Sequence, residues 1–177
     1  MRRAVSLCRR LACASAKNMA LSNIDIHRFL DRYAPHTFNG VFSYDQFDPA
    51  ECPHYPIAMV VNARPGRVEM GHWCAVFVDR DRNGNFFDSY GLRPWGKFSK
   101  FFERHSNKTF FSKDILQLNE TSCGQHCIFF VCQMSKGRLL EDVLMLYRTH
   151  AYKTGDEMVN LYVARRMPYV KRTSATL

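Results

Sequence analysis

No stretch of this chain approaches the ~20 consecutive apolar residues of a membrane span, so no membrane partner is expected. There is no internal repeat and no low-complexity run, which removes repeat and fibrous architectures. The seven cysteines are odd in number, include no CxxC pair and follow no regular spacing. That argues against a disulfide scaffold and for a reduced, intracellular setting. A zinc site assembled from Cys123, His126, Cys127 and Cys132 would draw all its ligands from one helix, without the close-spaced pairs from two segments that tetrahedral sites use. No metal and no obligatory cofactor are therefore expected.

Acidic residues are missing altogether from the first eighteen positions, which hold Arg2, Arg3, Arg9, Arg10 and Lys17. Residues 1–18 read as a basic extension: a disordered arm, a mitochondrial transit-like segment, or sequence upstream of a true start at Met19. Residues 19–177 read as one domain. Of the net charge of +9, five positive charges lie in the extension, leaving +4 for the domain. With a pI of 9.4, the basic balance suits a nucleic-acid partner through Lys and Arg; a merely solvated surface is the plainer alternative.

What is present is a globular composition: 46% hydrophobic residues, 14% aromatic, fourteen of them Phe. Ser22–Ala34 is predicted as a helix, with Ser22 and Asp25 forming a capping pair and Ile26, Phe29, Leu30 and Tyr33 on one face. Phe38–Tyr44 is extended, and Ile57–Asn62 is a strand buried on both faces. His72–Asp79 and Phe86–Tyr90 form a hairpin, with Asn83-Gly84 as its turn. Lys97–His105 is a short amphipathic helix. Thr109–Phe111 and Ile115–Leu118 are weak strands. Helices follow at Cys123–Ser135, Leu139–Tyr147 and Asp156–Met167. Strands in the middle with helices on both sides give an α+β class: a central mixed sheet flanked by helices.

The chemistry centres on LQLNETSCGQHCIFFV at 116–131. A polar turn hands over to an apolar helix, with Ser122 as the expected N-cap and Gln125 in the capping-box place. Cys123 is then the first helical residue, where unsatisfied backbone N–H groups and the helix dipole favour a thiolate. Gln117, six positions upstream, offers an amide donor. A thiolate beside such a donor is what acyl transfer by a cysteine nucleophile needs. Its base is sought in the hairpin. His72 begins one strand and Asp88 nears the end of the other, so an antiparallel pairing brings both to one sheet edge. There a carboxylate can fix the imidazole tautomer. His126 is expected on the helix near its start, as a polar neighbour of the cleft.

GHW at 71–73, FDSYG at 87–91 and Q-x5-CG at 117–124 resemble the adenovirus-type cysteine endopeptidases (adenain) and their SUMO-protease relatives. The likeness continues through FNGVFSYDQF at 38–47 and IAMVVN at 57–62, over roughly residues 20–135. It is greatest to the adenain-like proteases of Maverick/Polinton and adintovirus-type elements. The resemblance implies a papain-like/adenain-like cysteine protease fold. It casts Cys123 as nucleophile, His72 as general base and then acid, and Asp88 as its orienting carboxylate. The oxyanion hole would be the Gln117 side chain with the Cys123 backbone N–H, and Trp73 would wall the cleft near the scissile bond. It further implies glycine-containing cleavage sites in viral or transposon structural precursors, a monomer acting on protein substrates, and a host nucleus or virion setting.

The chain departs from the family in having no cysteine between Cys74 and Cys123, so the disulfide-tethered activating peptide of the adenovirus enzyme has no evident attachment point. Nothing after about Gly137 matches a family motif. Activation by DNA rests here only on the basic balance and on Arg165-Arg166 and Lys171-Arg172. Two alternatives remain. One is a SUMO or ubiquitin-like deconjugating peptidase, against which stand the only ~50 residues before the first core strand. The other is a domesticated, non-catalytic binding protein, against which stands the intact set of four site residues.

Overall fold

Ile57–Asn62, a run in which five of six residues are buried, is β2 of a five-stranded sheet in a computed structural model that describes residues 20–50, 54–63, 71–148 and 152–168. The elements are α1 (Asn23–Tyr33), β1 (Phe38–Ser43), β2 (Ile57–Asn62), β3 (Trp73–Val78), β4 (Asn83–Phe87), α2 (Lys97–His105), β5 (Lys108–Phe111), α3 (Cys123–Met134), α4 (Leu140–Tyr147) and α5 (Gly155–Ala164). Strand order follows chain order, β1 to β5. The outer pairs β1–β2 and β4–β5 are parallel and the inner pairs antiparallel, so the sheet is mixed and the class α+β. The basic extension at 1–18 and the chain's last nine residues, with Lys171-Arg172, lie outside the described residues.

Strand alternation divides the core in two. Ala58, Val60, Ala75, Phe77 and Phe87 face α1, α3, α4 and α5 on one side. Ile57, Met59, Val61, Cys74, Val76 and Phe86 face Phe47 and the α2 residues Phe98, Phe101 and Phe102 on the other. All twelve residues of α3 are buried, because the helix lies against the sheet and under three other helices. Phe87 of β4 stacks on Phe130 of α3, centroids 4.7 Å apart. Among the described residues no helix is long and apolar enough to cross a membrane.

Three local expectations need correction. Asn83-Gly84 is not the hairpin turn: both residues are already in β4. The chain reverses at Asp79–Arg82, with Arg82 at φ 61° and both Asp79 carboxylate oxygens bonded to Asn83, from its N–H at 2.7 Å and its amide at 2.9 Å. Gly84 is needed for close approach instead, since a Cβ there would lie 2.6 Å from the Phe102 ring and 2.8 Å from Ser106 of the α2 end. Ile115–Leu118 is not a strand; it is a loop docked through Leu116 and Gln117 N–H groups to the Ser89 carbonyl, at 2.8 and 3.1 Å. Ser122 precedes α3 but gives no side-chain cap; its hydroxyl donates to Asp156 instead. At α1, by contrast, the Ser22–Asp25 capping box is present as expected.

Candidate active site

His72 lies one residue before β3 and Asp88 one residue after β4. The antiparallel register, with Ala75 opposite Phe87, brings the two strand ends to the same edge. His72 Nε2 and Asp88 Oδ2 are 3.0 Å apart. The backbone of His72 is held from the other side, its carbonyl accepting the Ala63 N–H at 2.7 Å. Asp88 is fully buried, and its second oxygen accepts the Tyr90 N–H at 2.7 Å. Cys74 Sγ donates to the same Oδ2 as His72, at 3.3 Å. Burial alone would raise the Asp88 carboxyl. The hydrogen bond and charge of His72, with the Tyr90 N–H and the Cys74 thiol, hold it below its ordinary value instead.

Burial of the imidazole ring works to lower its pKa. Hydrogen bonds to Asp88 and to the Cys123 side chain, with the charge of both, outweigh that and raise His72 to about 9. His72 therefore carries its proton at neutral pH. With Nε2 turned to Asp88, the other ring nitrogen is left for the sulfur. Cys123 opens α3 at 5% exposure, where the first-turn N–H groups have no helical partners of their own.

Gln117 is 1% exposed. Its Oε1 accepts the Ser89 hydroxyl at 2.6 Å, and its Nε2 donates to the Asn119 carbonyl. The amide orientation is thereby set, and one Nε2 N–H is left over. Trp73 is partly buried against the core of the α3 side. Its carbonyl accepts the Cys127 thiol at 3.2 Å, and a Cβ built on Gly124 would touch the indole at 3.4 Å. The indole thus sits beside the start of α3.

His126 lies near the start of α3 as expected, but it does not line the cleft surface. It is fully buried, with Nδ1 3.0 Å from the Tyr147 hydroxyl and Nε2 3.0 Å from Asp156 Oδ1. Both nitrogens are engaged away from Cys127 and Cys132, so the four residues weighed as a zinc site do not converge. A different trio, His72, Cys74 and Asp88, places its donor atoms within 4.8 Å of one another. Burial, then the Asp88 charge, pushes the Cys74 thiol well above its usual range. It stays protonated and donates to the carboxylate, a poor donor set for a metal that binds thiolate.

Sequence reasoning missed Cys74 and Tyr90. Tyr90, 39% exposed, lays its ring 5.0 Å from that of His72. The strand period was the available signal for Cys74, since residues 72 and 74 share a face. A cavity of about 640 Å³ opens near the opposite end of the sheet, among Phe77, Phe110, Arg138 and Leu140; none of the predicted site residues lines it.

No protein-family model matches the chain. Uncharacterized protein V9 of Sputnik virophage is 32% identical over 79 residues, 44% of this chain and 43% of that protein. The chain thus spans under half the length of the curated relative it matches. Among solved structures, the ASFV pS273R protease superposes with TM-score 0.64 at 20% identity, over 84% of this chain and 67% of its own. The SUMO protease Ulp1, solved with its catalytic cysteine oxidised to a sulfinic acid, gives 0.52 at 13% identity, over 87% of this chain and 80% of its own. The fold is that of the SUMO-protease-like cysteine proteases.

Proposed function

We propose that this chain is a cysteine endopeptidase acting as a monomer on protein substrates. One observation carries the reading: His72 Nε2 lies 3.0 Å from the buried Asp88 carboxylate, beside a cysteine that opens α3 and contributes to raising the imidazole. Likeness in fold to two proteases supports it.

In this reading the Cys123 sulfur attacks the scissile carbonyl carbon, and the carbonyl π electrons move onto oxygen. The oxyanion takes the free Nε2 N–H of Gln117 and the Cys123 backbone N–H. As the tetrahedral intermediate collapses, the C–N bond breaks and the leaving amine takes the proton of His72. Water then attacks the thioester with neutral His72 as base, releasing the acid and restoring the pair. Asp88 keeps the ring oriented and stabilises its charged form. Trp73 forms part of the cleft wall. No metal or cofactor enters any step.

The substrates proposed are viral or transposon structural precursors cut at glycine-containing sites, in the manner of the adenain-like proteases of Maverick/Polinton elements. The segment shared with a virophage protein supports that setting, and the basic balance supports a nucleic-acid partner. The test is cleavage profiling with capsid-type and ubiquitin-like peptides. Cys123→Ala should abolish turnover while leaving the fold intact, and Gln117→Ala should lower kcat ~10²–10³-fold. Full activity in either variant removes the role given to it, and cleavage confined to ubiquitin-like tails would move the substrate to deconjugation.

A further inference from the structure

We propose that Asp156, on helix α5, is the positioning residue of the oxyanion loop. The proposal rests on the peptidase reading of Gln117 and Cys123. Asp156 is 6% exposed and lies more than thirty residues beyond the loop. Its Oδ2 accepts the backbone N–H groups of Leu118 at 2.8 Å and Asn119 at 3.2 Å. Its Oδ1 accepts the Ser122 hydroxyl and His126 Nε2, the latter at 3.0 Å. Four donors fill the lone-pair capacity of one carboxylate, and they flank Cys123 on both sides along the chain.

The protonation of the cluster follows from its burial. Desolvation lowers His126 in spite of Asp156, so the imidazole is neutral. Burial raises Tyr147 well above its ordinary value, so the phenol keeps its proton. The phenol then donates to Nδ1, and Nε2–H donates to Asp156. The carboxyl itself would be raised by burial, but the hydrogen bonds from His126, Ser122 and Leu118 hold it below its ordinary value. A single anion thus faces four donors.

Two features separate positioning from simple bracing. Ser122 occupies the N-cap place, yet its hydroxyl goes to Asp156 rather than to the first turn of α3. The Asn119 carbonyl accepts the Gln117 amide, while the Asn119 N–H is held by Asp156. The direction of the Gln117 donor is therefore fixed through Asn119 by a charge on another helix.

Asp156→Asn keeps the shape, but turns an NH2 group toward two of the four donors. In the full chain it should lower kcat about 10–100-fold, the loss of well-placed charged hydrogen bonds, with KM changed less than about threefold. Alkylation of Cys123 by iodoacetamide, which forms no oxyanion, should stay within about twofold of wild type. Combined with Gln117→Ala, Asp156→Asn should cost nothing more, because both act through one donor. Multiplicative losses in the double variant, or alkylation falling in step with kcat, would overturn the proposal. Amide hydrogen exchange provides a readout independent of turnover. Leu118 and Asn119 should exchange at least tenfold faster in Asp156→Asn, with β2 and β3 amides unchanged. Unaltered exchange at those two amides refutes the anchoring whatever the chain does to peptides, and absence of peptide cleavage in wild type bears only on the peptidase reading.

Discussion

Replacing Asp88 by Asn removes one charge and one of the two acceptor oxygens. Asp88 Oδ2 takes His72 Nε2 at 3.0 Å, while Oδ1 takes the Tyr90 N–H. An Asn at this place can satisfy one of the two with its carbonyl and must present its amide to the other. Opposite charges about 4 Å apart at an effective dielectric of 20 attract by about 4 kcal/mol. The rise of His72 from 6.5 to about 9 corresponds to about 3 kcal/mol, so the carboxylate is large enough to account for it. Without that charge only the Cys123 side chain opposes the burial of the ring, and the pKa should fall well below 9.

The assay is the pH profile of peptide hydrolysis, with His72 ring resonances followed by NMR. Wild type should lose kcat/KM as pH rises through about 9, where the leaving group's proton donor is lost. Asp88→Asn should lose it at a distinctly lower pH. Between the two limbs the deficit should widen about tenfold per pH unit, and it should shrink toward pH 6. Stability moves in the same sense. The pairing of charged His72 stabilises the fold fully below about pH 6.5 and is lost as pH passes 9. An Asp88→Asn variant whose alkaline limb still lies near 9 would refute the carboxylate's part in holding the proton.

Native protein near neutral pH should be alkylated at Cys123 well before Cys74, Cys127 and Cys132. The last three are at most 1% exposed, and burial pushes their thiols upward, Cys132 to about 11; mass spectrometry of the labelled chain reads the order, and an inert Cys123 counts against the assignment. Gly84→Ala should cost ~1–3 kcal/mol by overpacking against Phe102 and Ser106, seen as a lower urea midpoint; an unchanged midpoint would show that α2 shifts freely. Binding of duplex DNA, measured by fluorescence anisotropy, should weaken steeply between about 50 and 200 mM salt, and a flat response removes nucleic acid as a partner.

The hairpin edge was legible because its two informative residues belong to adjacent strands, and antiparallel pairing leaves little freedom in where His72 and Asp88 fall. The start of α3 was legible because the polar turn at Asn119–Ser122 gives way abruptly to Cys123-Gly124 and an apolar run. The capping of that helix was not. Ser122 has the right residue type in the right place, but a stronger acceptor, Asp156, arrives from a distant segment. The burial of His126 was hidden for the same reason, its partners Tyr147 and Asp156 lying twenty-one and thirty residues on. Asn83-Gly84 carries a strong local turn signal, yet Asp79 closes the reversal earlier and the glycine serves packing against α2. Tertiary contacts decided the first two cases; in the third the Asp79–Asn83 bonds are local, and only the packing of Gly84 against α2 comes from outside the window.

The burial of every residue of α3 has a consequence for how this protein can fail. The sulfur is mounted on an element that touches neighbours on all sides, so it cannot be displaced without opening voids in the interior. A methylene removed from beneath Phe130 or Ile128 would reach the sulfur as surely as a change at the cleft. Loss of tertiary packing and loss of peptide cleavage should therefore coincide along a denaturation curve, with no intermediate that is folded but inert.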